Sequence, residues 1–132
     1  MSEWEDVRAI AMSLPGSEER LSRERLQWLV GGKLFVWERP LREKEVLELG
    51  AEAPDGPVMG ARVEHLIAKE ALLAEDPALF FTTSHFKGSA AVLVRLERIG
   101  MEDLEEVVTE AWFARAPPKL AAAEAERLRT RD

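Results

Sequence analysis

Leu26-Gln27-Trp28-Leu29-Val30-Gly31-Gly32-Lys33-Leu34-Phe35-Val36-Trp37-Glu38-Arg39 reads as two β-strands joined by a two-residue turn. A primed turn needs positive φ at both central residues, and paired glycines supply that without steric cost. If register propagates unbroken from the turn, Trp28 faces Phe35, Leu26 faces Trp37 and Leu29 faces Leu34. Arg25 then faces Glu38, and Glu24 faces Arg39, giving two opposite-charge pairs. Aromatic and charge matching of this kind is the unit of sheet stabilisation. In that register Trp28, Phe35 and Trp37 share one face, either the core face or an exposed aromatic platform. A sheet must bury one face against its helices, which favours the core.

Upstream, Ser2 and Glu5 have capping-box spacing. Trp4, Val7, Ile10, Ala11 and Leu14 follow at helical intervals, and Pro15-Gly16 ends that helix. Residues 17–24 read as a charged connector. Downstream, Pro40 stops the hairpin and Arg42 to Leu49 forms a short helix closed by Gly50. Ala51 to Pro57 is a loop, and Val58 to Val63 a strand. Glu64 to Glu75 is a helix, and Phe80 to Thr83 a short strand. Ser84 to Ser89 is a turn, and Ala91 to Ile99 a half-buried strand. Leu104, Val107, Val108, Ala111 and Trp112 stripe the strongest helix, with acidic residues at its start and Arg115 at its end. Pro117-Pro118 opens a final alanine-rich helix. The order predicts an α+β fold: an antiparallel sheet of about five strands with helices packed on one face, and helices at both termini.

The chain has 132 residues, 46% of them hydrophobic and 33% charged, which suits one globular domain spanning 1–132. It has no cysteine, so disulfides, thiolate metal sites and cysteine nucleophiles are excluded. It has no asparagine, and arginine outnumbers lysine 13 to 5. A thermophilic origin and a GC-rich genome both account for that bias. The acidic start, Met1-Ser2-Glu3-Trp4-Glu5-Asp6, is unlike a secretory signal, and the longest apolar run, Ala90 to Val94, is far too short for a membrane span. A cytoplasmic location is expected, with no membrane association.

Net charge is −7, which disfavours tight phosphate binding. The distribution is uneven. Residues 46–114 hold five basic and thirteen acidic side chains, while residues 18–45 hold seven basic and six acidic. Arg23, Arg25, Lys33, Arg39 and Arg42 are therefore the nucleic-acid candidates.

Walker, dinucleotide-binding, His-Glu-x-x-His and Gly-x-Ser-x-Gly patterns are missing. The pairs Glu18-Glu19, Glu75-Asp76 and Glu105-Glu106 are sequence neighbours, which point apart on a helix and form no acid/base dyad. His65 opens a helix and reads as a surface or capping residue. His85 lies in Thr82-Thr83-Ser84-His85-Phe86-Lys87-Gly88, where hydroxyls, an ammonium and an aromatic are close. Such a loop suits an anion or a carbonyl. A histidine bonded only to backbone is the plainer reading. Two histidines twenty residues apart make no zinc site, and no metal or cofactor is expected.

Leu14-Pro15-Gly16, Leu26-Gln27-Trp28, Gly32 to Phe35, Trp37 to Pro40, Lys69 to Pro77, Phe80 to Phe86 with Gly88, Val92 to Leu96, and Glu110-Ala111-Trp112 with Ala116-Pro117 form a set of segments. Together they resemble the MmcQ/YjbR family of small bacterial domains. The likeness runs in order along nearly the whole chain. It implies a frataxin-like (CyaY-like) sheet with flanking helices. It implies little about activity, although DNA binding has been suggested for members by analogy of shape. Some members carry a histidine–tryptophan pair in the loop before the last strand; here His85-Phe86 and Gly88 stand there.

The functional expectation is a non-catalytic binding domain for a small molecule or protein partner. Its ligand-binding candidates are Thr82, Thr83, His85, Lys87 and Lys69. Weak DNA binding is the alternative. An enzyme with His85 as acid or base, and Lys69 or Lys87 as electrophile, is the second. The sequence does not specify an oligomeric state.

Overall fold

The computed structural model describes residues 2–131. Five helices accompany a six-stranded antiparallel sheet. The helices are α1 (Trp4–Ser13), α2 (Glu43–Leu49), α3 (Leu66–Glu75), α4 (Met101–Arg115) and α5 (Pro118–Arg129). The strands are β1 (Ser17–Ser22), β2 (Arg25–Val30), β3 (Lys33–Glu38), β4 (Val58–Arg62), β5 (Phe80–Phe81) and β6 (Ala91–Arg95), in the order β1-β2-β3-β4-β6-β5. The α+β class and terminal helices match expectation, with one strand more.

The additional strand is β1, read from sequence as a connector. Its Ser-Glu-Glu-Arg-Leu-Ser composition has no apolar alternation, because it is an edge strand and exposed along most of its length. Charged side chains on an edge also deter pairing with other chains. It turns into β2 through Arg23 and Glu24, both at positive φ (50° and 65°), a conformation usually left to glycine or asparagine.

Gly31 and Gly32 have φ of 58° and 77°, as the primed turn requires. Leu29 pairs with Leu34 and Val30 with Lys33, as expected, but the register shifts by one between Leu29 and Trp28. Trp28 pairs with Val36 and Gln27 with Trp37, leaving Phe35 as the extra residue of a β-bulge. The bulge breaks the alternation of faces. Phe35 and Val36 join Trp28 in the main core, whereas Trp37 turns to the opposite side. The expected grouping of Trp28, Phe35 and Trp37 is therefore corrected. So are the expected ion pairs: the Glu38 carboxylate accepts from the Leu26 N–H at 2.8 Å, and Arg39 pairs with Glu45.

The sheet thus carries two apolar clusters. On one face α4 packs across β3 and β4, and α1 lies against α4. Trp28, Phe35, Met59, Leu96, Leu104 and Trp112 are fully buried there. The Trp112 indole N–H donates to the Pro15 carbonyl at 3.0 Å, tying α4 to the end of α1. Ser2 does not cap α1. It is buried, and its hydroxyl donates to the Ile99 carbonyl at 2.7 Å, while Glu3 and Asp6 form the cap.

On the other face lies a smaller cluster of Trp37, Val58, Phe81, Phe86, Ala91 and Leu93, with Leu34, Leu41 and Leu49 against it. Trp37 pairs with Gly60, and a Cβ there would come within 2.3 Å of the indole Cε2, well inside contact distance. Gly60→Ala is therefore expected to cost about 1–3 kcal/mol by overpacking. Trp37→Leu should relieve most of that excess in a double-mutant cycle measured by urea unfolding. Strict additivity of the two changes would show that the ring does not lie over Gly60.

Candidate ligand-binding depression

Beyond β5 the chain runs through Thr82 and Thr83 into a 3-10 turn, Ser84–Phe86. Phe86 anchors this turn in the second apolar cluster, with the Arg39 guanidinium 5.0 Å over its ring. Three polar side chains from two helices then hold the segment in place.

Glu45 of α2 is the first. Only 1% of it is exposed. Its carboxylate accepts from Arg39 at 3.0 and 2.9 Å, from the Arg42 N–H at 2.9 Å and from the Thr83 hydroxyl at 3.0 Å. Burial is the strongest single influence on its ionisation and opposes it. The hydrogen bonds from Arg42, Arg39 and Thr83, with the Arg39 charge, outweigh burial and hold the carboxyl below the ordinary carboxylate range. One turn on, Glu48 accepts from the Ser84 N–H at 2.9 Å and the Ser84 hydroxyl at 2.8 Å.

Lys69 of α3 is the third tether. It is buried, and its ammonium donates to the carbonyls of Phe86 at 2.5 Å and Ser89 at 2.9 Å. Burial, with no carboxylate to offset it, pushes its pKa down. Among the described residues no acidic side chain pairs with it.

These tethers frame a depression of about 430 Å³ lined by Glu48, Leu66, Lys69, Glu70, Leu73, Thr82, Thr83, Ser84 and Lys87. Leu66, Lys69, Glu70 and Leu73 recur at helical spacing and form one face of α3. Four of the five ligand-binding candidates therefore meet at one place. Thr83 and Lys69 also shape its wall, through their bonds to Glu45 and to the turn. Lys87 is exposed and free of ion pairs among the described residues. His85 does not line the depression. It is exposed, with its ring edge-on to Phe86 at 4.9 Å between centroids. His65 caps α3, its Nδ1 accepting from the Ala68 N–H at 3.1 Å.

Glu48, Leu66, Glu70 and Leu73 escaped the sequence reading, and Ser84 figured in it only as part of the Thr82–Gly88 loop. Only the helical spacing of 66, 69, 70 and 73 could have signalled that Lys69 has apolar neighbours. Glu45 had one local signal, its place three residues after Arg42 at the helix start.

The nucleic-acid candidates do not form a stripe. Arg23 lies in the β1–β2 turn and Arg25 opens β2, while Lys33 sits beside the Gly31-Gly32 turn at the other end of β2. Arg39 is committed to Glu45, and Arg42 begins α2 beside Glu43. A smaller depression of about 180 Å³ lies between α3 and α4, rimmed by Glu75, Asp76, Asp103, Glu106 and Glu110; none of the candidates lines it. Among the described residues, no three metal-ligating side chains are placed so that they could hold a metal ion, and no helix is long and apolar enough to cross a membrane.

Comparison with known proteins places the chain among relatives. The YjbR family model matches residues 12–114. The uncharacterised protein Rv2570 of Mycobacterium tuberculosis (strain ATCC 25618 / H37Rv) is 44% identical over 126 residues, covering 93% of this chain and 95% of its own. The uncharacterised protein Mb2600 of Mycobacterium bovis matches to the same extent. The crystal structure of Deinococcus radiodurans protein DR2400, a DUF419 domain, superposes with a TM-score of 0.63 at 19% identity, over 86% of this chain and 78% of that one. That likeness concerns the fold alone.

Proposed function

The chain belongs to the YjbR family, and from that premise we propose that it is a non-catalytic binding domain whose ligand sits in the depression between α3 and the Thr82–Lys87 segment. One observation carries the reading. Thr82, Thr83, Lys69 and Lys87 converge on a single depression whose walls are fixed beforehand by Glu45, Glu48 and Lys69. Fixing the wall before binding removes part of the ordering cost that association otherwise pays. Apolar walls with a few convergent polar groups are the usual make-up of a binding site. His85, the acid or base of the enzyme alternative, stands outside the depression, and Lys69, Thr83 and Ser84 are occupied in holding its wall.

A fragment screen read by amide chemical shifts and by thermal unfolding tests this. Hits are expected to perturb residues 66–73 and 82–87. A hit at a hundred times its Kd should stabilise the protein by about 2.7 kcal/mol. Lys87→Ala, at an exposed position, should weaken anionic hits and leave unfolding of the free protein unchanged. Perturbations confined to other surfaces, or turnover of any hit, would overturn the proposal.

A further inference from the structure

The depression lies along an unfinished edge of the sheet. β5 is the last strand in the order, and only β6 pairs with it. Phe80 is opposite Val94 and Phe81 opposite Leu93, while the Arg95 N–H donates to the Leu79 carbonyl at 2.9 Å. In an antiparallel ladder the bonded residues alternate. Leu79 and Phe81 thus face β6, and Phe80 and Thr82 turn their backbone groups outward. The Phe80 N–H is satisfied by the Asp76 carbonyl at 3.0 Å. Among the described residues, neither the N–H nor the C=O of Thr82 has a partner, and its hydroxyl reaches only the Thr83 carbonyl.

Thr82 is half-buried and lines the depression, and its free donor and acceptor lie on the side away from β6. Thr83 is extended (φ −129°, ψ 169°), which continues the line of β5. The opposite wall is the face of α3 bearing Leu66 and Leu73. A sheet edge with a spare N–H and C=O, set against a helix face that carries two leucines beside Lys69 and Glu70, is the geometry that takes an added strand. The Lys87 ammonium stands beside it without a counter-ion among the described residues.

Resting on the binding-domain reading above, we propose that the occupant is an extended segment of a partner protein. It pairs its backbone with Thr82, lays an apolar side chain between Leu66 and Leu73, and sets an acidic side chain beside Lys87. The backbone pair supplies alignment, and the side-chain contacts supply selectivity. No bond is made or broken.

The test uses the full chain and a display library of random heptapeptides embedded within a longer carrier, so that no terminal carboxylate is offered. Enriched peptides are expected to combine a leucine, isoleucine or valine with an aspartate or glutamate. Synthetic versions capped at both ends should shift the Thr82, Lys87 and Leu73 amides. N-methylation of the peptide residue paired with Thr82 should cost tenfold or more in Kd. Leu66→Glu and Lys87→Glu, both at exposed positions, should each weaken binding without moving the unfolding midpoint. Equal affinity for the N-methylated peptide would overturn strand addition, and so would binding only to free C-terminal carboxylates. If fragments bind in the depression while no peptide does, this inference fails and the binding-domain reading stands. If neither binds, both fail.

Discussion

Replacing Glu45 by alanine is expected to destabilise the protein by about 3–5 kcal/mol, the range for removing one partner of a buried ion pair. The reason is what it leaves behind. The Arg39 side chain is 11% exposed, so its guanidinium would lose a bidentate acceptor without gaining full hydration. The Arg42 N–H and the Thr83 hydroxyl would also lose their acceptor. Removing both charges, as in Arg39→Met with Glu45→Leu, should cost less than Glu45→Ala alone, since the price of a stranded buried charge then disappears. Urea unfolding of the two variants decides it. The same carboxyl sets a pH dependence. Its native-state value is lowered, so its contribution is fully present above the ordinary value of 4.5 and is lost as pH falls from there through the native value. Glu45→Gln should remove that part of the acid sensitivity. A Glu45→Ala variant within 1 kcal/mol of wild type would show that the α2 tether is not what holds the segment in place.

Trp28→Ala should cost a comparable amount, about 3–5 kcal/mol, for a different reason. Trp28 is fully buried, stacks on Trp4 at 6.3 Å between ring centroids, and donates its indole N–H to Glu19 at 2.9 Å. Glu19 is directly opposite on β1 and also receives Arg8 of α1 at 2.7 Å. One side chain thereby joins β1, β2 and α1. Truncation leaves a cavity the size of an indole that the three elements cannot all close. Trp28→Phe keeps most of the apolar volume and loses the hydrogen bond, so its cost should be well under half as large. Equal costs for the two replacements, measured by equilibrium unfolding, would mean that the bond to Glu19 and not the packing dominates.

The hairpin was legible in the sequence because its turn chemistry is local. Paired glycines demand positive φ, and the neighbouring pairs Leu29–Leu34 and Val30–Lys33 follow from that. The bulge at Phe35 was not legible. Nothing in Leu34-Phe35-Val36-Trp37 distinguishes an extra residue from a regular one, since all four are strand-forming and apolar. The decision belongs to β4, where Gly60 leaves room for the Trp37 ring. β1 was missed for the converse reason: an exposed edge strand has no buried face to write into its sequence. Thr82, Thr83, Lys69 and Lys87 were legible as chemistry-bearing residues, but their convergence depends on α3 packing beside β5. Glu45 looked like any surface glutamate on a charged helix. Its burial comes from Arg39 and Thr83, six positions before it and far along the chain after it, and periodicity reports neither.

Everything inferred about the depression depends on the second apolar cluster, and that cluster depends on the bulge sending Trp37 away from Trp28. A nuclear Overhauser measurement on the isotopically labelled protein reads this directly. Cross-peaks from the Trp37 indole to the Gly60 α-protons, with none to Trp28 or Trp112, are expected. Cross-peaks joining Trp37 to Trp28, with Gly60 silent, would restore the unbroken hairpin register and remove the floor on which Thr82 to Lys87 rest.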